Sequence, residues 1–198
     1  MSQKKELSSK FWIIILVTCS LFVILIALGF ASFGNEKKPV VENKENGGNV
    51  YLNYVGDVAG LKVKDLSPLA DSVGIKKDKE GQYFDFSVDV SLDNAAFIDY
   101  EISVVKDEKF STISDDDIKI YLEKENSGIY EEVFGPEKFT PLSKTSKVGT
   151  PVGSMVLYKN RSTRVSTDRY RLRIWMSDKS ATAKGNYGVD IFVNASAK

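Results

Sequence analysis

The acidic triplet Asp115-Asp116-Asp117 is the segment whose residue types most readily suggest a ligand. Hard cations such as Ca²⁺ prefer carboxylate oxygens, so the three side chains are candidate metal ligands. The triplet lacks the D-x-D-x-D-G spacing of a calcium-binding loop. A solvated turn ahead of a strand explains it equally well, and both interpretations stay open.

A second acidic stretch contains Glu131, Glu132 and Glu137. Glycoside hydrolysis needs two carboxylates that converge on one bond, and the sequence does not exclude such a pair. A small anchored domain offers little room for a deep cleft, so the stretch is interpreted as a solvated acidic loop. We expect no enzymatic activity.

The composition excludes much of the remaining chemistry. Histidine is absent from all 198 residues, and Cys19 is the single cysteine. Ser-His-Asp triads, Cys-His dyads and HExxH zinc proteases are therefore ruled out. Disulfides within the chain and Cys-cluster zinc sites are ruled out as well. The sequence also has no P-loop and no G-x-G-x-x-G motif, so we expect no cofactor.

Charge is balanced over the whole chain but unevenly distributed along it. Lys and Arg number 27, as do Asp and Glu. Residues 50–140 carry 10 basic and 20 acidic side chains, whereas residues 141–198 carry 11 and 3. All five arginines lie within thirteen residues; they are Arg161, Arg164, Arg169, Arg171 and Arg173.

Three interpretations of this asymmetry stay open. Arg171 and Arg173 could pair across strands with carboxylates, of which the candidates are Asp85, Asp89 and Asp190. An acidic and a basic pole could instead associate head to tail, which builds filaments. The arginines with nearby Trp175 could also bind an anionic polymer, although the acidic half argues against nucleic acid. Arg171, Arg173 and Trp175 are thus the candidate interaction residues.

An apolar run near the amino terminus could anchor the protein in a membrane. It comprises residues 11–30, FWIIILVTCSLFVILIALGF, which carry no charge and no proline. At about 1.5 Å per residue the run spans roughly 30 Å, the thickness of the bilayer hydrocarbon. Residues 11–31 are predicted to be a single transmembrane helix in the lipid bilayer, either a signal anchor or a signal peptide. Gly29-Phe30-Ala31 resembles a cleavage site, but the run exceeds the roughly 7–15 apolar residues of a signal peptide, which favours retention.

The flanks of this run suggest an orientation and a tether. The numbers of lysines on the two sides of the run are nearly equal. The free amino terminus and Lys10, which lies close to the run, add positive charge to the amino-terminal side and slightly favour placing that side in the cytoplasm. The short tail of residues 1–10 then lies in the cytoplasm, and the carboxy-terminal part lies outside it. Residues 32–49 are polar, contain Pro39 and a Gly-Gly pair, and are predicted to be a flexible linker.

From Val50 onward the apolar residues alternate with a period of two, which is typical of half-buried strands. The clearest run is residues 83–92, YFDFSVDVSL, in which Phe86 and Val88 share a face opposite Asp85 and Asp89. In YRLRIWM, Tyr170 and its alternate neighbours point inward, and Arg171, Arg173 and Trp175 point outward, with Trp175 covered by a loop or a partner. The remaining predicted strands are residues 50–55, 58–63, 97–105, 118–122, 154–158 and 187–193.

Seven or eight short strands separated by turn residues predict an antiparallel β-sandwich, jelly-roll-like or immunoglobulin-like, over residues 50–198. Residues 64–74 are the one stretch expected to form a helical turn or two. At this size the alternating faces of two sheets bury enough apolar surface without a disulfide or metal.

Four segments, YFDFSVDVSLDNAAFIDYEISVV, ISDDDIKIYLEKENSG, YRLRIWMSD and YGVDIFVNA, together resemble the TasA/camelysin-like secreted β-sandwich proteins of Gram-positive bacteria. The resemblance covers residues 50–198, and YRLRIW is its most specific part. It implies a sandwich exported to the cell surface, which in some members assembles into matrix fibres by strand donation from a freed amino terminus. The longer apolar run and the Asp93-Asn94-Ala95-Ala96 turn depart from the family's pattern. Its metalloprotease label does not transfer to a chain without histidine.

These observations predict a membrane-anchored cell-surface β-sandwich with a structural or interaction role in the envelope or the extracellular (biofilm) matrix. Its expected partners are copies of itself or another envelope protein. The alternative is a monomeric ectodomain that binds or senses a ligand.

Overall fold

The computed structural model describes residues 43–45, 48–54, 59–76 and 82–197, which form two β-sheets. The predicted transmembrane segment, residues 11–31, lies outside these residues. Within the described part of the chain, no helix is long and apolar enough to cross a membrane. Residues 37–198 form one compact unit of the chain.

The elements follow in chain order. The first strands are β1 Asn43–Glu45, β2 Gly48–Tyr54, β3 Gly60–Leu66 and β4 Pro68–Leu69. They are followed by the short helix α1 Asp71–Gly74, strand β5 Tyr83–Leu92 and strand β6 Ile98–Lys106. A 3₁₀ turn, Asp115–Asp117, leads into β7 Ile118–Asn126 and β8 Ile129–Lys138. The last strands are β9 Met155–Ser162, β10 Ser166–Ser177 and β11 Gly185–Ala197.

Sheet A has the strand order β1-β2-β5-β10-β7-β8, and β4 pairs in parallel with the end of β10. Sheet B has the order β3-β11-β6-β9. Every neighbouring pair along these two orders is antiparallel, and the chain crosses repeatedly from one sheet to the other. This arrangement is the predicted all-β, antiparallel class, and one apolar face of each sheet supplies the core.

Side-chain alternation along the strands confirms the predicted faces. In β5, Phe86, Val88 and Val90 are buried, as the period of two requires. In β10, Tyr170 and its alternate neighbours are fully buried, and the same holds along β11 from Tyr187. Burial of these faces is the main stabilising contribution, because apolar area leaves water on both sheets.

Three strands were not predicted. Strand β1 and the start of β2 fall in the predicted linker, residues 32–49, so the polar stretch is not a linker to its end. Backbone pairing holds β1 against β2. Such pairing requires no apolar pattern, so the sequence contains no sign of it. Strand β4 has only two residues.

Strand β8 contains Glu131, Glu132 and Glu137, which were predicted to lie in a loop. It is an edge strand with shifts of register against β7, so its side chains do not alternate cleanly between buried and exposed. The turn before it places Ser127 and Gly128 at φ 52° and 86°, the two positive values of a type I′ hairpin.

Candidate binding groove

The three aspartates predicted as metal ligands face different partners. They form the 3₁₀ turn before β7, and each carboxylate contacts a different part of the fold. The partners are Tyr187 and Lys106 for Asp115, Lys138 for Asp116 and Thr182 for Asp117. Within the described residues there is no group of three or more acidic or cysteine side chains placed to hold a metal ion.

Arg171, the first of the predicted interaction residues, is engaged on the outer face of sheet A. Its guanidinium donates to both oxygens of Asp85, at 2.7 Å each. It also lies over the rings of Tyr83 and Tyr130, at 4.1 and 4.5 Å from their centres. The hydrogen bonds to Asp85 raise the pKa of Arg171 above its usual value. Asp85 is one of the predicted partners, so this pairing is confirmed.

Arg173 and Trp175 lie on the same outward-pointing face, but both are covered. Arg173 is 6% exposed and pairs with Glu123 of β7, which was not among its predicted partners. Trp175 is fully buried, and its Nε1 donates to Asp71 at 3.1 Å. The segment that contains α1 covers Trp175, which is the first of the two expected coverings, a loop or a partner. Neither Arg173 nor Trp175 is available at the surface.

The uneven charge of the sequence is largely neutralised by pairs between strands. Four of the five arginines contact carboxylates from the acidic half of the chain. The pairs are Arg161 with Asp99, Arg169 with Glu125, Arg171 with Asp85 and Arg173 with Glu123. This agrees with the first of the three interpretations, cross-strand pairing inside one fold.

A polar cluster joins the two sheets at one end of the sandwich. Tyr100 of β6 donates to Asp168 at 2.9 Å and accepts from Asn160 at 3.0 Å. Its hydroxyl lies 2.8 Å from that of Tyr170, which is therefore the donor to Tyr100. Lys124 pairs with Asp168 at 3.0 Å at the outer side of this cluster.

This cluster is built for structure rather than for proton transfer. Burial raises the pKa values of Tyr100 and Tyr170 well above the usual phenol value. Both phenols therefore stay protonated at neutral pH, whereas a general acid or base needs a pKa near the working pH. A buried network whose members are hydrogen-bonded fixes the two sheets relative to each other.

The feature best suited to binding is a groove of about 550 Å³ on the outer face of sheet B. We call it the capped groove. Strands β6, β9 and β11 form its floor, and the loop between β8 and β9 contributes one wall. Its side chains include Asp99, Glu101, Lys147, Val148, Lys159 and Arg161.

The loop tip, residues 146–150, is preformed. The Oγ of Ser146 accepts from the backbone N–H groups of Val148 and Thr150, at 3.3 and 3.0 Å. Thr150 is fully buried against the sheet, where Asn194 donates to its Oγ1 at 3.3 Å. The tip is thereby docked on β11, which places Lys147 and Val148 beside the groove.

Glu101 is the unusual residue of the capped groove. It is 1% exposed although it lies on the outer face of its sheet, because the loop tip covers it. Its Oε1 is 3.2 Å from the Nζ of Lys159, and its Oε2 has no hydrogen-bond partner among the described residues. Burial alone would raise the pKa of Glu101, but the hydroxyls of Ser146 and Thr150, together with Lys159, outweigh it and lower the pKa.

Some of the charged side chains that line the groove form ion pairs, and others do not. Arg161 forms a two-fold hydrogen bond with Asp99, at 2.7 and 2.8 Å, and its guanidinium lies 4.0 Å from the centre of the Phe97 ring. Lys147 forms no ion pair with any described residue. The groove therefore offers one cation, Lys147, that is not committed to an ion pair within the described residues, which suits a ligand with an anionic group.

The sequence did not identify the capped groove. Glu101 occupies an outward position of a strand with the expected alternation, and that alternation does not indicate burial. The wall comes from residues 139–154. Within this range the sequence predicts no helix or strand, apart from residue 154, where a predicted strand begins. An isolated acidic residue in an otherwise apolar run was the only available signal.

A pH dependence follows from Glu101. Its folded pKa lies below the usual 4.5, so its contribution to stability is present above that value and is lost as pH falls through the folded pKa. We expect Glu101→Gln to lower the melting temperature at pH 7, and the gap to the wild type to narrow between about pH 5 and 3. Melting curves of residues 37–198 followed by circular dichroism test this. The exposed Glu137→Gln should track the wild type, and a constant gap across the range would refute the assignment.

The similarity of this chain to known proteins is remote. No protein family matches the sequence, and no curated protein matches it. Among solved structures, the chain is similar to VP2 of an infectious bursal disease virus subviral particle, at 9% identity and a TM-score of 0.39. The match covers 81% of this chain and 37% of that one, so this chain spans little more than a third of the VP2 chain.

A second similar structure is AvmM, which catalyses macrocyclisation in alchivemycin A biosynthesis. Its identity is 11% and its TM-score 0.32, with 81% of each chain covered. Neither likeness bears on what this chain binds or does.

Proposed function

We propose that this protein is a membrane-tethered β-sandwich that acts as an interaction module at the cell surface. The capped groove carries the proposal. It combines a docked loop tip with a lysine, Lys147, that forms no ion pair with any described residue, in one concave surface.

The tether rests on the sequence. Residues 11–31 have the length and apolarity of a bilayer-spanning helix, and the resemblance to TasA/camelysin-like proteins supports an exported, jelly-roll-like domain. The polar stretch that follows the apolar run would hold the domain away from the membrane. A retained helix makes the protein single-pass, with the sandwich outside the cytoplasm.

Self-assembly into a matrix fibre is the second candidate, since the resemblance includes proteins that polymerise. Two observations weigh against it. The ion pairs between strands consume most of the arginines that a head-to-tail contact would use. The edge strand β8 carries glutamates and Pro136, and natural sheets use such residues to block edge-to-edge pairing.

The single native cysteine makes the proposed topology testable on intact bacteria. In the full-length chain with Cys19→Ser, Lys147→Cys should react with a membrane-impermeant maleimide, because the groove faces outward. Ser9→Cys in the same background should react only after lysis. The full-length protein should also remain in the membrane pellet after alkaline extraction.

The matched control is the Cys19→Ser chain, which should not be labelled at all. Labelling at position 9 with protection at position 147 would reverse the orientation. Release of the protein by alkaline extraction would remove the tether.

A further inference from the structure

We infer that one end of the sandwich rests on the lipid surface, with Ile129 and Val165 inserted among the headgroups and Arg164 against a lipid phosphate. We call it the tether end. It comprises the tip of the β7–β8 hairpin, residues 126–129, the β9–β10 turn, residues 163–165, and the start of β1. The inference rests on the proposed tether and adds the surface that the domain presents to the membrane.

The strand register places the start of β1 at the tether end. One row of paired residues crosses sheet A and consists of Asn43, Val50, Val90 and Ser166. Strand β7 pairs with β10 so that Lys124 lies opposite Tyr170, which brings the hairpin tip level with the start of β10. Residues 32–42 are only eleven residues long, so they hold β1 within roughly 40 Å of the predicted membrane segment. In a tethered protein, this end is the one that the chain keeps closest to the bilayer.

Two aliphatic side chains project from the tether end. Val165 is 70% exposed and Ile129 is 66% exposed, the two highest values among the exposed large hydrophobic residues of the described chain. Their loops adjoin, because Ser127 and Arg164 line the same groove of about 360 Å³. Single exposed aliphatic residues are ordinary, but two on adjoining tips form an apolar contact surface. Insertion between lipid headgroups removes both side chains from water.

Arg164 supplies the polar part of the contact. It is exposed, precedes Val165 in the same turn and forms no ion pair with any described residue. A guanidinium can donate two parallel hydrogen bonds to a phosphate, which makes arginine well suited to this acceptor. An arginine next to an inserted aliphatic side chain lies at the depth of the phosphates.

The other charges of the tether end do not favour an anionic surface. Lys124 and Arg169 are paired with carboxylates of the fold, and Glu131 adds an exposed negative charge. Attraction to anionic lipid, which needs several uncommitted basic residues, is therefore small here. Insertion of the two aliphatic side chains is the main contribution, so the contact should form on zwitterionic and on anionic bilayers.

The test uses the full-length Cys19→Ser chain in phosphatidylcholine nanodiscs, with an environment-sensitive fluorophore on Ile129→Cys or Val165→Cys. Lipids that carry a nitroxide on the headgroup quench a fluorophore that reaches the surface. The matched control is Val73→Cys, because Val73 is a 52% exposed valine of α1. It lies at the opposite end, where α1 contacts Trp175 and β4 pairs with the end of β10. We expect quenching at positions 129 and 165 to be several times stronger than at position 73.

Substitutions in the tips should change this quenching in a predictable way. With the fluorophore at position 129, Val165→Ser should lower the ratio of docked to undocked molecules about tenfold, the effect of losing one inserted aliphatic side chain. Val152→Ser removes another exposed valine, outside the tether end, and should change nothing. Arg164→Gln should lower the ratio in phosphatidylcholine and in phosphatidylglycerol nanodiscs alike, because both lipids carry a phosphate.

Quenching at positions 129 and 165 no stronger than at position 73 overturns the inference, as does an equal effect of Val165→Ser and Val152→Ser. A blue-shifted fluorophore that the nitroxide lipids do not quench also overturns it, because its contact is then with protein. If the chain stays in the nanodisc in these cases, the tether of the proposed function stands. A chain that does not enter nanodiscs removes the tether and the inference together.

Discussion

Arg173→Met is expected to destabilise residues 37–198 by about 3–5 kcal/mol, whereas Arg161→Met should cost much less. The side chains of Arg173 and Glu123 are only 7% and 12% exposed, so removing the arginine leaves a desolvated carboxylate. The side chain of Arg161 is 57% exposed, and water screens its pair with Asp99.

Urea unfolding followed by the fluorescence of Trp175 measures both changes. The double variant Arg173→Met/Glu123→Leu should recover most of the loss, because replacing a whole buried pair by apolar residues is often close to neutral. Equal costs for the two single variants would show that Arg173 and Glu123 are not a desolvated pair.

Trp175→Ala is expected to cost about 3–5 kcal/mol, the usual range for removing a fully buried tryptophan. Its ring packs directly against Gly74 of α1. A Cβ atom added to Gly74 would lie 2.2 Å from ring atom Cδ2, so a larger residue at this position would overlap the ring. The ring also packs against Tyr121, with 6.2 Å between ring centres. Truncation opens a cavity and removes the hydrogen bond that holds Asp71, so α1 loses its contact with the sheet.

Thermal unfolding followed by circular dichroism measures this effect. Val73→Ala on the same helix is the control, because Val73 is 52% exposed and should change stability by less than about 0.5 kcal/mol. Trp175→Phe keeps most of the packing and should cost clearly less than the alanine variant. A loss of stability below about 1 kcal/mol for Trp175→Ala would mean that packing of α1 against the sheet does not depend on the Trp175 ring.

The parts of the fold that could be predicted are those where side-chain burial follows the backbone period. Strand β5 was predicted with the observed bounds because one of its faces is buried and the other is wet. The inward and outward phases of β10 were predicted for the same reason. Strand β8 was not predicted, because an edge strand with register shifts leaves no clean alternation.

The candidate site depends on what lies over a strand, which a single strand's pattern does not contain. Trp175 was assigned to the outward phase, but the segment that covers it comes from a part of the chain about a hundred residues earlier. Glu101 looks like an ordinary outward residue until the tip at residues 146–150 folds onto it. Long-range contacts of loops therefore decided which outward positions became buried.

The charge pattern of the sequence also could not show how the charged residues pair in the fold. The acidic and basic halves of the sequence suggested a polar molecule, and strand pairing brings the two halves together within one sandwich. The register places Arg171 directly opposite Asp85, which cancels both charges locally. What remains uncommitted in the capped groove is a single lysine beside a buried carboxylate, a feature suited to recognition rather than to polymerisation.

Light scattering on purified residues 37–198, across a concentration series at low and high salt, tests the interaction-module proposal most directly. A surface module whose ion pairs are internal should stay monomeric at every concentration, with no change in mass on adding salt. Growth in mass with concentration that reverses at high salt would contradict it, because salt screens contacts between exposed charges of separate molecules.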